Sequence, residues 1–166
     1  DREDLGSGMP SVNFGLSGRV EYKGWDLSVS TYGALGFKVQ DAIYDQMTSC
    51  YGIGNRDPEV MSGSYPNVYY VNTATMAWND LFSERKIQNA NYWKIANIEL
   101  GYNFKDDWFK GIVTNVRAYV SAQNIATITK YKGYNVDYAP GIWTPGYNYC
   151  SFPTPKTVMF GLKCSF

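Results

Sequence analysis

VNFGLSGRVEYKGWDLSVSTYGALGF, residues 12–37, alternates with a period of two. Val12, Phe14, Leu16, Gly18, Val20 and Tyr22 are separated by Asn13, Gly15, Ser17, Arg19 and Glu21. Successive side chains of a strand point to opposite faces, so one face is apolar or small and the other polar. Lys23-Gly24 interrupts the pattern, and glycine there supplies the positive φ of a tight hairpin turn. From Trp25 the alternation resumes: Trp25, Leu27, Val29, Thr31, Gly33, Leu35 and Phe37 oppose Asp26, Ser28, Ser30, Tyr32, Ala34 and Gly36. The stretch predicts a long hairpin with strands over 12–22 and 25–37.

Three further segments share the period and predict strands over 92–104, 116–128 and 156–166. In the first, Ala96, Ile98, Leu100, Tyr102 and Phe104 face away from Asn97, Glu99, Gly101 and Asn103. The next sets Val116, Ala118, Val120 and Ala122 against Arg117, Tyr119, Ser121 and Gln123, and the last sets Val158, Phe160, Leu162, Cys164 and Phe166 against Met159, Gly161, Lys163 and Ser165. Helix signals reduce to single turns at Asp106-Asp107-Trp108-Phe109-Lys110 and over 83–88, so the class is all-β. Each strand is roughly twice the usual length of about 5–6 residues. About 12 residues at ~3.3 Å, tilted by ~45°, give ~28 Å of height, close to the ~25 Å apolar band of a transmembrane barrel. Tyr22, Trp25, Tyr92, Trp93, Tyr102, Phe104 and Phe166 fall at strand ends, where a membrane-interface girdle places aromatic rings; Tyr22, Trp25, Tyr102, Phe104 and Phe166 are the interface candidates. The connections alternate strictly: short at 23–24, long over 38–91, short over 105–115, long over 129–155. The long ones therefore share one rim, the extracellular one in a barrel of this kind, and the C-terminus lies on the periplasmic side.

Composition narrows the function. With 15 basic and 15 acidic residues among 166 and no basic stripe, nucleic acid is not an expected partner. The chain has no histidine, which removes His-dependent triads and His-ligated metals. No cofactor, metal or catalytic constellation emerges, and no enzyme is expected. Five strands cannot close a barrel, since bacterial single-chain barrels start at about 8. Open edges in lipid leave backbone groups unpaired at several kcal/mol each. The expectation is a C-terminal piece of a larger barrel. A soluble extracellular β-sandwich that binds carbohydrate through aromatic loops is the alternative.

The segments NANYWKIANIELGYNF (89–104), VRAYVSAQNIATITKYKGYNVD (116–137) and FPTPKTVMFGLKCSF (152–166) resemble the C-terminal end of the SusC/RagA family of TonB-linked outer-membrane proteins of Bacteroidota. Residues 1–37 are similar to that family's preceding hairpin, and the run at 123–134 is the most specific part. The family usually has glycine where Ala122 stands and an acidic Pro-Glu-type continuation at Asn135-Val136-Asp137. The resemblance implies a large barrel, 22-stranded in that family, with a plug, and a TonB contact supplied by parts outside this sequence. It further implies a SusD-like lipoprotein lid, import of oligosaccharides or peptides, and a terminal aromatic at Phe166 read by the insertion machinery.

Among individual residues, Asp106-Asp107 read best as a solvated helix N-cap. Arg19, Glu21, Glu99, Arg117 and Lys163 lie on the polar face, where structural ion pairing is preferred over a transport path. Lys94 breaks the apolar face and is expected to snorkel to the interface. Cys50 and Cys150 share the long-loop rim, where a disulfide is the alternative to two free thiols. Cys164 reads as an inert small hydrophobe. Tyr65, Tyr69, Tyr70 and Trp78 occupy one long loop; Tyr131, Tyr134, Tyr138, Trp143, Tyr147, Tyr149 and Phe152 occupy the other. Ligand or lid contact and self-packing of the loops both remain open.

Overall fold

The computed structural model describes residues 3–43, 47, 58, 84, 87–104, 115–137, 143–149 and 151–165. Eight strands follow in chain order: β1 (Val12–Tyr22), β2 (Trp25–Leu35), β3 (Lys38–Asp41), β4 (Ile87–Asn89), β5 (Tyr92–Phe104), β6 (Asn115–Thr129), β7 (Tyr147–Asn148) and β8 (Thr157–Ser165). Among the described residues no helix is long and apolar enough to cross a membrane. The chain divides into two compact units.

The sheet unit covers Val12–Ala34, Tyr92–Thr129 and Thr154–Phe166. Its five strands are ordered β1-β2-β5-β6-β8 and form an open antiparallel sheet, not a closed barrel. Neighbours in the sheet are neighbours among the long strands of the sequence, as an up-and-down wall requires. The β1–β2 turn has positive φ at both Lys23 (48°) and Gly24 (90°). That is the geometry of a two-residue hairpin whose twist matches its strands.

Register sorts the faces. Trp25 pairs with Tyr102, Leu27 with Leu100 and Val29 with Ile98; Tyr102, Leu100 and Ile98 pair with Ala118, Val120 and Ala122. Directly opposed residues share a face, so these pairs form one continuous apolar surface. It is uncovered: Leu16 is 67%, Val20 68%, Leu162 67% and Phe160 80% exposed. A sandwich would bury this surface under a second sheet, so the soluble alternative lacks its defining layer among the described residues.

The alternation breaks once. Asn97 pairs with Ser30 and Gln123, whereas Ile95 pairs with Thr31 and Ala126. Ala96 is therefore a bulge residue, extra against β2 and facing two residues, Asn124 and Ile125, on β6. Asn124 has φ 54°, a left-handed conformation that asparagine tolerates. Beyond the bulge, face and parity exchange: Trp93 joins the apolar face and Lys94 the polar one.

The loop unit covers Asp1–Ser11, Leu35–Asn91 and Lys130–Pro153. The 25–37 alternation does not continue as one strand. Gly36 takes φ 78°, β2 stops at Leu35, and Phe37 is buried beside β3. β3 pairs antiparallel with β4 and parallel with β7. Ile87–Asn89 is thus a strand, so the helical turn expected over 83–88 does not extend to 87 and 88, while Glu84 lies in a 3₁₀ turn and 83, 85 and 86 lie outside the described residues. The interior holds Phe37, Val39, Ala90 and Val136, together with Asp41, Tyr131 and Asn148, all below a tenth exposed. Tyr131 Oη donates to Asp41 Oδ2, and Asn148 Nδ2 donates to the same oxygen at 3.1 Å. The N-terminal segment joins this unit through Lys38 N–H to the Ser7 carbonyl, 2.9 Å.

Candidate functional site

The polar face of the sheet carries a charged network built around a missing side chain. Gly101 stands between Asp26 on β2 and Tyr119 on β6. A Cβ on Gly101 would collide with Asp26 Oδ1 and with the Arg117 guanidinium. Through that gap Arg117 reaches from β6 across β5 to β2. Its Nε lies 3.1 Å from both Asp26 oxygens and its Nη2 lies 3.0 Å from Oδ1. Nη2 also donates to Glu99 Oε1 at 2.7 Å. Arg19 extends the network, 3.6 Å from Asp26 and 2.8 Å from Glu21.

A fork-shaped guanidinium gripping a carboxylate is among the stronger charged contacts. The Asp26 side chain is only 4% exposed, against 21% for Arg117 and 26% for Glu99. The Arg117 guanidinium also sits 5.2 Å from the Tyr119 ring centroid, and that ring fills the space above Gly161. Of the residues expected on this face, Arg19, Glu21, Glu99 and Arg117 are brought together. Lys163 pairs in register with Arg117 and is exposed. Asp26 and Gly101 sit at the centre, though the sequence marked them only as members of the polar alternation. The arrangement satisfies its own charges, so its chemistry is cross-bracing of three strands.

Lys94 does not snorkel along the apolar face. The Ala96 bulge puts it on the polar face opposite Tyr32 and Thr127, where it is 3% exposed and lies 5.8 Å from the Tyr32 ring centroid. Tyr32 also meets Tyr92 edge-on at 6.2 Å.

On the apolar face, at the short-turn end, Trp25, Tyr102 and Phe104 form a contiguous row. Trp25 and Tyr102 are 4.9 Å apart, and Tyr102 and Phe104 5.0 Å apart and perpendicular. Tyr22 is 67% exposed, with Lys23 Nζ 5.1 Å from its ring centroid. At the opposite end Trp93, one of the expected strand-end aromatics, is 45% exposed, and the bulge sets it on the apolar face. Cys164 is free and exposed. Phe166, Cys50, Cys150 and Asp106-Asp107 lie outside the described residues, as do Tyr65, Tyr69, Tyr70, Trp78 and Tyr138.

The described aromatic residues of the second long loop divide into two sets. Tyr131 packs inward, while Tyr134, Trp143, Tyr149 and Phe152 are exposed. Tyr147 and Tyr149 flank the buried Asn148 and stack with centroids 6.4 Å apart at 21°. Among the described residues no group of three or more acidic or cysteine side chains could hold a metal ion.

No family model matches the chain. It is 30% identical over 166 residues to the TonB-dependent receptor SusC of Bacteroides thetaiotaomicron, a match that covers 93% of this chain. It is 25% identical over 175 residues to the TonB-dependent receptor P3 of Formosa agariphila, over the whole chain. The chain spans 15% and 17% of the lengths of these curated relatives. Among solved structures it is similar to the RagAB peptide importer in its closed-closed state, with a TM-score of 0.78, 21% identity, 97% of this chain and 18% of that one. The open-open state gives 0.76, 20%, 95% and 17%.

Proposed function

We propose a function from one premise: the chain belongs to the SusC/RagA family of TonB-linked, TonB-dependent outer-membrane proteins. It forms the last strands of a transport barrel. The whole protein imports oligosaccharides or peptides, is energised through TonB, and works with a SusD-like lipoprotein on its outer side. The chain itself catalyses no reaction.

The observation that carries this reading is the polarity of the sheet. Its large apolar side chains face outward and its ion pairs lie on the other face, which suits a wall with lipid on one side and a hydrated lumen or plug on the other. Tyr22, Trp25, Tyr102 and Phe104 then mark one interface, with Phe166 assigned to the same girdle. The long connections, which leave and re-enter the sheet at its Ala34, Tyr92 and Thr129 end, face the exterior, and the C-terminus faces the periplasm. A disulfide between Cys50 and Cys150 would join those connections.

Growth of cells lacking the full-length receptor, on a panel of oligosaccharides and peptides as sole nutrient, tests the reading. Loss of growth on one class, reproduced by removing TonB, is the expected result. Unchanged growth and uptake across the panel overturns it.

A further inference from the structure

We propose that Asp41 is the positioning group of the aromatic loop surface. Its carboxylate ties the first long connection to the second and holds Tyr147 and Tyr149 outward as a stacked pair. The inference goes beyond the importer reading, because it concerns how one unit holds its own surface whatever the cargo.

Three observations carry it. First, β7 is two residues long, and its parallel pairing sets Gln40 beside Tyr147 and Asp41 beside Asn148. Alternation along a strand then decides direction: with Asn148 held inward, its two neighbours must point the other way. A ladder this short fixes little by itself, so the side chain of Asn148 determines the outcome.

Second, that side chain is fully engaged. Asn148 Nδ2 donates to Asp41 Oδ2 at 3.1 Å, to Tyr131 Oη at 2.9 Å and to the Asn135 carbonyl at 3.3 Å. Its Oδ1 accepts from Ser151 N–H at 3.3 Å and from the Ser151 hydroxyl. This set of partners admits one orientation of the amide, and Asp41 is the charged acceptor within it. Asp41 and Asn148 are 3% and 2% exposed, so water does not replace a lost bond.

Third, the backbone leaves room for the node. A Cβ on Gly133 would run into Asp41 Oδ2 and the Tyr131 hydroxyl. Holding aromatic side chains in place before a ligand arrives lowers the ordering cost of binding, which is what a contact surface on a long loop needs.

The test uses the full-length receptor in detergent, with no cargo present, so that it does not depend on import. The probe is a soluble tyrosine-directed diazonium reagent, with the modified residues located by peptide mass spectrometry. In the native protein Tyr149 should react quickly and Tyr131 slowly. Asp41→Asn leaves the two donors either a neutral oxygen or an opposing N–H in place of the carboxylate, and Tyr131 modification should accelerate by roughly tenfold or more. The exchange Asp41→Asn with Asn148→Asp puts the carboxylate and the amide in each other's places, gives up the long bond to the Asn135 carbonyl, and should restore part of the protection. Generic loss of packing would not be rescued this way.

Unchanged Tyr131 protection in Asp41→Asn, or equal exposure in the single and exchanged variants, overturns the proposal. If Asp41→Asn does not fold, Tyr131→Phe removes only the hydroxyl. Amide hydrogen exchange over 146–149 should then rise, and unchanged exchange overturns the proposal equally.

Discussion

The sheet unit and the loop unit place their apolar side chains in opposite ways. In the sheet, Leu16, Val20, Phe160 and Leu162 stand exposed while Asp26 is enclosed by two arginines. In the loop unit, Phe37, Val39, Ala90 and Val136 are buried and Trp143 and Phe152 are outward. The second is the ordinary economy of a chain in water with aromatic residues left over at its surface. The first makes sense where the outside is lipid. One sequence can hold both because a period of two assigns faces without assigning which face is the interior; the surroundings decide that.

The contrast can be broken at the bulge, where the largest effect is expected. Exchanging two neighbours, Trp93→Lys with Lys94→Trp, sets a lysine on the apolar face and a large ring at the enclosed polar-face position. A lysine on the lipid face costs up to about 1 kcal/mol near the interface and about 2–4 kcal/mol at mid-bilayer depth, and overpacking by the tryptophan at the 3% exposed position adds to it. The expected outcome is no heat-resistant folded receptor on a cold-loaded gel. A folded exchange variant would show that the faces of Trp93 and Lys94 are not fixed by the bulge.

A paired substitution sharpens the comparison. Phe160 and Met159 are adjacent and both exposed, so in a water-facing sheet arginine at either would be nearly neutral. In lipid, Phe160→Arg should lose about 2–4 kcal/mol, and Met159→Arg on the polar face much less. Denaturant midpoints of the full-length receptor refolded into vesicles measure the difference, and equal midpoints would remove the lipid assignment.

The next effect concerns the brace. Arg117→Met leaves Asp26 enclosed with only Arg19 at 3.6 Å. Breaking a buried pair costs about 3–5 kcal/mol, and the partial exposure of Arg117 lowers the expectation to roughly 2 kcal/mol. Adding Asp26→Asn should recover part of that loss in the same unfolding assay. The smallest effect is at Gly18, where an added Cβ meets nothing within 4 Å. Gly18→Val should be neutral or stabilising by about 0.5 kcal/mol through strand propensity, whereas Gly101→Val should disrupt the Arg117 bridge.

The long strands were legible because a period of two runs through β1 and β2 and through the 97–104 and 116–123 parts of β5 and β6. The bulge was not, since Ala96 suits either face and one extra residue leaves no mark in composition. Its trace was Lys94, a charge that looked misplaced because the parity had already changed. Phe37 misled for a related reason: it continued the alternation of β2 past a glycine that turns the chain away. The Arg117 bridge was half legible. Its charges were visible as a polar set, but the glycine that lets them meet carries no signal of its own. The Asp41 node lay beyond reach, because its members are separated by 90 and 107 positions and no local pattern links them.

The bulge has a consequence for curvature. Ala96 on β5 and the Asn124-Ile125 pair on β6 occupy the same level, beside Ser30 and Thr31 of β2. Bulges bend their strand and increase its local twist. Set side by side on two neighbouring strands, they crease the wall along a line instead of spreading the bend evenly. A wall creased in this way curls more tightly along that line than on either side of it. Two inserted residues, one on each of two neighbouring strands, thereby shape the cross-section of any ring these strands help to close.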